Sequence, residues 1–368
     1  VASTRVASDA VRGWLVSVFF ALVLALTPVP AWVVDQFYSR AVYPTIQSWL
    51  TTATNLVPFA VLDFILIAGV FLTARRVVKL WSVLRQEGVL EAAWEGACRF
   101  VRAAALLTVF FMLVWGLNYR RLPIDTAMAG ATAPPPTVAA LEAILSDANV
   151  LASRLRGPAA KAKLNDFRAV EAELAEPMNA ALEHIGRPAL EVWARPKHSL
   201  VLTPFFITTG VDGMIDPLML ETIVNPDLLP FERPFVLAHE WAHLSGIGDE
   251  AEASAVGWLA CMKGSPPLAY SASLYLIMEA RAAMPVEART AVNARLDAGV
   301  RSDLEVIADR LKRENPRMQR AATRVYEQFL RVNRVGDGTL NDDRALALIL
   351  TPRVLEAMGS YTFGQKAD

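Results

Sequence analysis

The chain has 368 residues, and its formal net charge of -1 leaves no basic face of the kind a nucleic acid selects. Its two cysteines, Cys98 and Cys261, exclude a disulfide framework and a cysteine-rich zinc site. Hydrophobic residues make up 54% of the chain and mean hydropathy is +0.32, high for a soluble protein, with the excess concentrated in the first 120 residues.

Three apolar runs, 14–34, 56–74 and 100–117, predict membrane spans, because each is long enough to cross a bilayer core of about 30 Å. The second carries Asp63, expected to make a polar contact near the outer end of the third, at Asn118 or Arg120. Arg5, Arg12, Arg75, Arg76, Lys79, Arg85 and Arg99 fall on one side of these runs, and Arg40, Arg120 and Arg121 on the other. Basic residues collect on the cytoplasmic side, so the expectation is a multi-pass protein of the cytoplasmic membrane with everything after residue 120 outside. The first run also reads as a signal peptide, with "VPA" at 29–31 as a small-residue cleavage site; the location of the large C-terminal region is the same either way.

Residues 1–121 thus form a transmembrane region, and the Gly/Ala/Pro-rich stretch 122–137 reads as a linker. From Val138 to about Ile185 the pattern is helical, with Leu141, Ile144, Leu145, Val150 and Leu151 on one stripe. The run "LEVWARPKHSLVLTPFFITTGV" is β-like, and so is Met219–Asn225, expected as an edge strand that pairs with an extended peptide. Beyond residue 250 the chain is again mostly helical. The fold class is mainly α with a small sheet (α+β), with 138–368 as one extracytoplasmic domain after the N-terminal transmembrane helices.

The chemistry concentrates in "LAHEWAHL", Leu237–Leu244. His239 and His243 are four residues apart, so a helix stacks both imidazoles on one face, where they can share one zinc ion. Glu240 lies beside them as a general base for the attacking water, and H-E-x-x-H is the zinc metallopeptidase signature. Pro234 suits the first turn of this helix, and Gly246 with Gly248 supplies its stop. Two buried core histidines would explain the spacing, but not the ionisable Glu240 in the same apolar helix. Glu232–Arg233 and Asp249–Glu250 bracket a run too short to span a membrane, which excludes an intramembrane protease.

A third ligand is required, and no third histidine follows. Asp249, Glu250 and Glu252 are the carboxylates at hand. Glu252 shares a face with Ala255, Val256 and Leu259, an apolar inward stripe, and is the expected ligand; Glu250 is the next choice. Asp249 and Glu252 also match a capping box.

Several segments together carry a family resemblance: "FYSRAVYPTIQSWL", "VWGLNYRRLP", the run from Gly213 to Cys261, and "YEQFLRVNRVGDG" with Arg344. The chain resembles a bacterial membrane-bound family of gluzincin type, known as domain of unknown function family 3810. The resemblance implies a zincin-like metallopeptidase domain with His239, His243 and Glu252 on one Zn2+ per chain and Glu240 as base. Ser254 departs from it, standing where an asparagine that orients a histidine is expected. The expected activity is hydrolysis of a peptide or protein substrate beside the lipid bilayer. The rival is a catalytically silent zincin-fold scaffold or sensor that binds a partner. Tyr270, Tyr275, His198 and Arg344 are candidates for stabilising an oxyanion.

Overall fold

The computed structural model describes residues 2–86, 89–124, 135–162, 164, 166–333, 342–358 and 361. Helix α1 (Ala2–Leu26) is followed by a short turn, α2 (Ala31–Val33), a π-helix (Val34–Val42) and α3 (Tyr43–Asn55). Then come α4 (Val61–Gln86), α5 (Val89–Val114) and a 3-10 turn, Gly116–Arg120. The expected linker lies mostly outside the described residues.

Of the three expected membrane spans, the described residues bear out one helix long and apolar enough to cross, or two if a bent pair counts as one span, and the run at 56–74 is in neither. The first run breaks at Thr27–Pro30, because Pro28 and Pro30 cannot continue a helix. Gly13–Leu26 and Ala31–Asn55 form a pair bent by 104°, apolar enough to cross a membrane only if taken together. Within α5, Gly96–Val114 is long and apolar enough by itself. The second run is helical only from Val61, and α4 carries Asp63, Arg75 and Arg76. Asp63 does not meet Asn118 or Arg120. It accepts bonds from the Ser199 hydroxyl and from the Leu200 amide at 2.7 Å. Asn118 instead accepts from Ser39 Oγ at 2.8 Å, and Arg120 donates to the last carbonyls of α1, Leu24 at 2.8 Å and Ala25 at 2.6 Å.

Helices α6 (Val138–Lys161) and α7 (Phe167–His184) begin at side-chain caps, Thr137 and Asp166. Leu141, Ile144, Leu145 and Leu151 are buried as expected, whereas Val150 falls off the stripe and faces out. Only Pro196–Lys197 (β1) of the long β-like run is a strand, and Thr203–Thr209 is helix α8. Pro204 in its first turn starts that helix despite the β-branched composition. Strands β2 (Gly213–Asp216) and β3 (Glu221–Val224) complete a sheet of order β1-β3-β2. β3 is parallel to β1 and antiparallel to β2, with Gly213 opposite Val224 and Asp216 opposite Glu221. The run expected at an edge is therefore the central strand, and β2 is an edge.

Seven further helices follow: α9 (Arg233–Leu244), α10 (Glu250–Met262), α11 (Pro266–Ala283), α12 (Val286–Arg295), α13 (Ala298–Leu311), α14 (Pro316–Val332) and α15 (Asp342–Ile349). A short α16 (Pro352–Glu356) ends the fold. One hydrophobic core joins α6, α7, α9, α10 and α11, and it extends to Tyr43, Val114 and Trp115 from the N-terminal region. The sheet is tied to α4 as well. Glu221 accepts from the first amides of α4, Val61 at 3.1 Å and Leu62 at 2.8 Å, and pairs with buried Lys197 at 2.8 Å.

Candidate metal centre

α9 runs from Arg233 to Leu244 and ends where Gly246 takes a left-handed conformation, φ 87°. Gly246 N–H donates to His243 O at 2.8 Å and Ile247 N–H to Ala242 O at 3.3 Å, which together are the Schellman closure. That turn brings the Ile247 carbonyl back to His243 Nδ1, 2.7 Å away. The bond fixes the tautomer and leaves Nε2 to face outward from the helix. His239 Nδ1 lies 3.2 Å from Ser254 Oγ on α10. Ser254 is thus no loss of support, because its hydroxyl reaches the ring that an asparagine was expected to orient. The two helices cross closely at Gly257, where a Cβ would stand 2.8 Å from His239 N.

Asp249 caps α10 by accepting from Glu252 N–H at 3.0 Å, which makes Glu250 the first helical residue and directs it back towards α9. Glu250 Oε2 lies 3.2 Å from His239 Nε2 and 3.5 Å from His243 Nε2, and the two Nε2 atoms are 3.1 Å apart. His239, His243 and Glu250 are the group of possible metal ligands that the described residues bring together. Tyr326 on α14 donates its hydroxyl to the other Glu250 oxygen.

Glu252, the expected third ligand, has other partners. Its carboxylate is buried against the Arg121 guanidinium and accepts from Ile124 N–H at 2.7 Å, with Arg344 3.5 Å away. The inward stripe was correctly read, but this part of the interior holds an arginine and not the histidines. The capping box is half made: Asp249 caps, while the Glu252 side chain leaves for Arg121.

Glu240 is buried, and its Oε2 has no hydrogen-bond partner among the described residues. Burial raises its pKa; the two imidazoles offset this, and the carboxylates of Glu250 and Asp212 add to it. A Cβ at Gly213 would come within 2.9 Å of Glu240 Oε1, so the edge strand begins directly against this carboxylate. Burial opposes charge on both His243 and Glu250, and their mutual attraction overrides it. His243 is raised to about 9, and Glu250 is held well below the usual carboxylate range. Asp212, just before β2, pairs with Arg310 at 2.9 Å, and Arg310 reaches Glu232 beside α9 at 2.7 Å.

The oxyanion candidates from the sequence are mostly engaged elsewhere. Tyr270 donates to Asp303, His198 Nδ1 lies 3.1 Å from Val224 O, and Arg344 pairs with Asp249 at 2.6 Å. Tyr275 stacks on Phe235, whose ring is 6.3 Å from that of His239. Tyr326, Asp212 and Gly213 were not singled out by the sequence reading. The signal for Tyr326 lay in the segment "YEQFLRVNRVGDG", where it is the first residue.

A donor set of two imidazoles and a carboxylate suits zinc, and tetrahedral bonds of about 2.0–2.1 Å put ligand atoms about 3.3 Å apart. The three observed separations fit that spacing. A family model described as "Protein of unknown function (DUF3810)" matches residues 38–350, and the chain belongs to this family. No curated protein and no solved structure matches it.

Proposed function

We propose that the protein is a membrane-anchored zinc metallopeptidase of gluzincin type, with His239, His243 and Glu250 as ligands and Glu240 as general base. The observation that carries this reading is the triangle of ligand atoms, 3.1, 3.2 and 3.5 Å on its sides, with the free oxygen of Glu240 buried beside it. When bound, zinc supplies a Lewis acid that polarises a carbonyl and acidifies water. The chain does the rest. Glu240 Oε2 takes the proton from the attacking water and returns it to the leaving amine. β2, an edge strand whose first residue touches Glu240, offers backbone groups to an extended peptide.

The same reading keeps the chain in the cytoplasmic membrane as a multi-pass protein with this site outside. Apolar side chains on α1, α4 and α5, among them Phe19, Phe20, Phe64, Ile67, Phe71 and Leu106, are exposed, as lipid contact requires. Arg120 and Arg121, which weigh against this orientation in the charge count, both have partners within the protein.

Metal content of the detergent-purified full chain tests the site. About one zinc per chain is expected, lost in His243→Ala and Glu250→Ala and kept in Glu252→Ala. Glu240→Gln should retain the metal and abolish hydrolysis of a peptide pool. A wild-type chain that takes up no zinc would sink the proposal.

A further inference from the structure

The bent segment after α1 has two unlike faces. On one, Tyr43, Gln47, Thr51 and Thr54 recur at helical spacing and are buried. Tyr43 donates to Leu244 O at 2.6 Å, Gln47 to Val192 O at 2.8 Å and Thr51 to Leu220 O at 2.9 Å, so this face is docked on the domain that carries the histidines. On the other face Val42, Trp49 and Leu56 follow each other at intervals of seven, and Trp49 is 76% exposed and Leu56 82%. Trp32, Phe37 and Phe59 are exposed in the same segment. From Ala41 to Leu62 there is no charged residue.

Water does not explain such a face, and the geometry says what does. The segment leaves α1 at 104°, and α1 packs along α5, whose apolar stretch is long enough to span. Spans tilt by about 20° on average, so a helix at that angle to α1 runs nearly in the membrane plane. The crook of the bend holds a half-open apolar cavity of about 300 Å³ lined by Val23, Leu24, Val29, Val33, Phe37 and Leu117. Tryptophan is the residue that collects at this depth.

We infer that Ala31–Asn55 is an interfacial helix lying on the bilayer, with Phe37, Trp49 and Leu56 in the boundary between lipid headgroups and acyl chains. Because its opposite face holds the last carbonyl of α9, the metal centre is mounted at the lipid surface. Leu200, 88% exposed and tied through its amide to Asp63 at the start of α4, forms a second apolar lip. The inference uses the membrane part of the reading above and none of its peptidase chemistry.

The test is spin-label accessibility in the full chain, reconstituted in phosphatidylcholine nanodiscs with Cys98→Ser. Nitroxides are placed at Trp49→Cys, Leu56→Cys, at Leu106→Cys on α5 as a span reference, and at Val286→Cys as a water reference. Thr45→Cys, on the same face, replaces Trp49→Cys if the latter misfolds. Labels at 49 (or 45) and 56 should collide with oxygen and lose collision with an aqueous nickel chelate, as at 106, while 286 shows the reverse. Water-like behaviour at 49 and 56 with a lipid-like 106 overturns the interfacial helix alone. Water-like behaviour at 106 also removes the membrane reading beneath it. Occlusion from both reagents at 49 and 56 marks a protein neighbour and overturns the inference too.

Discussion

The floor and the roof of the candidate metal centre are built on opposite principles. The floor is α9 packed on α10, where every residue from Ala255 to Met262 is buried and Gly257 lets the helices touch. The roof is α14, in which Leu330 is the buried residue and Tyr326 provides the bond to the site. The floor holds His239 and His243 by packing that cannot shift without cost, and the roof adds direction to Glu250 through one hydrogen bond. The sharpest way to break this contrast is Glu252→Ala. It leaves Arg121 buried without its main partner and should cost about 3–5 kcal/mol, read as a lower Tm, with zinc per folded chain unchanged. If zinc is lost while stability holds, the floor has been misassigned. Tyr326→Phe should do the reverse, leaving Tm alone and weakening zinc affinity on the order of 10–100-fold by competition with a chelator.

β2, whose first residue lies against Glu240, gives a smaller effect than Glu252→Ala, and a pH signature. Asp216 is buried, its Oδ2 has no partner among the described residues, and burial raises its pKa to about 6. The folded form therefore holds a proton that the unfolded form releases near 3.9, and stability falls as pH rises from about 4 through about 6. Asp216→Asn should stabilise the protein by about 2–3 kcal/mol at about pH 8 and by nothing below about pH 4. Equal gains at both would assign the effect to packing and not to ionisation.

How much of this could be read from residues alone followed how local the cause was. The bounds of the histidine helix are written beside it, in Pro234 and Gly246, and the shared face of His239 and His243 follows from a spacing of four. The small sheet on a helical fold was also legible. Glu250 and Glu252 are separated by something remote: an inward stripe says a carboxylate is buried, and only Arg121, brought 131 positions along the chain, says which one is neutralised there. The strand order failed for the same reason, since β3 is central only because β1 and β2 arrive from different directions. At α8 the Phe/Ile/Thr composition favoured a strand, and Pro204 at the first turn outweighed it. The apolar runs were found, and the break in the first is written locally in Pro28 and Pro30; the 104° angle that follows it is not.

One earlier detail bears on how the protein can be produced. The last turn of α9 is held by groups from before residue 122: Tyr43 on the Leu244 carbonyl, and Arg121 on the Gly246 carbonyl at 3.0 Å. A fragment begun at residue 122 would carry His239, His243 and Glu250 and yet lack both of these clamps, together with Trp115 from the shared core. It would leave carbonyls without donors at the end of α9 and Glu252 without the nearer of its two arginines. Shortened versions of the chain call for keeping 34–55 and 115–121, with the exposed apolar side chains replaced, and not for trimming at residue 122.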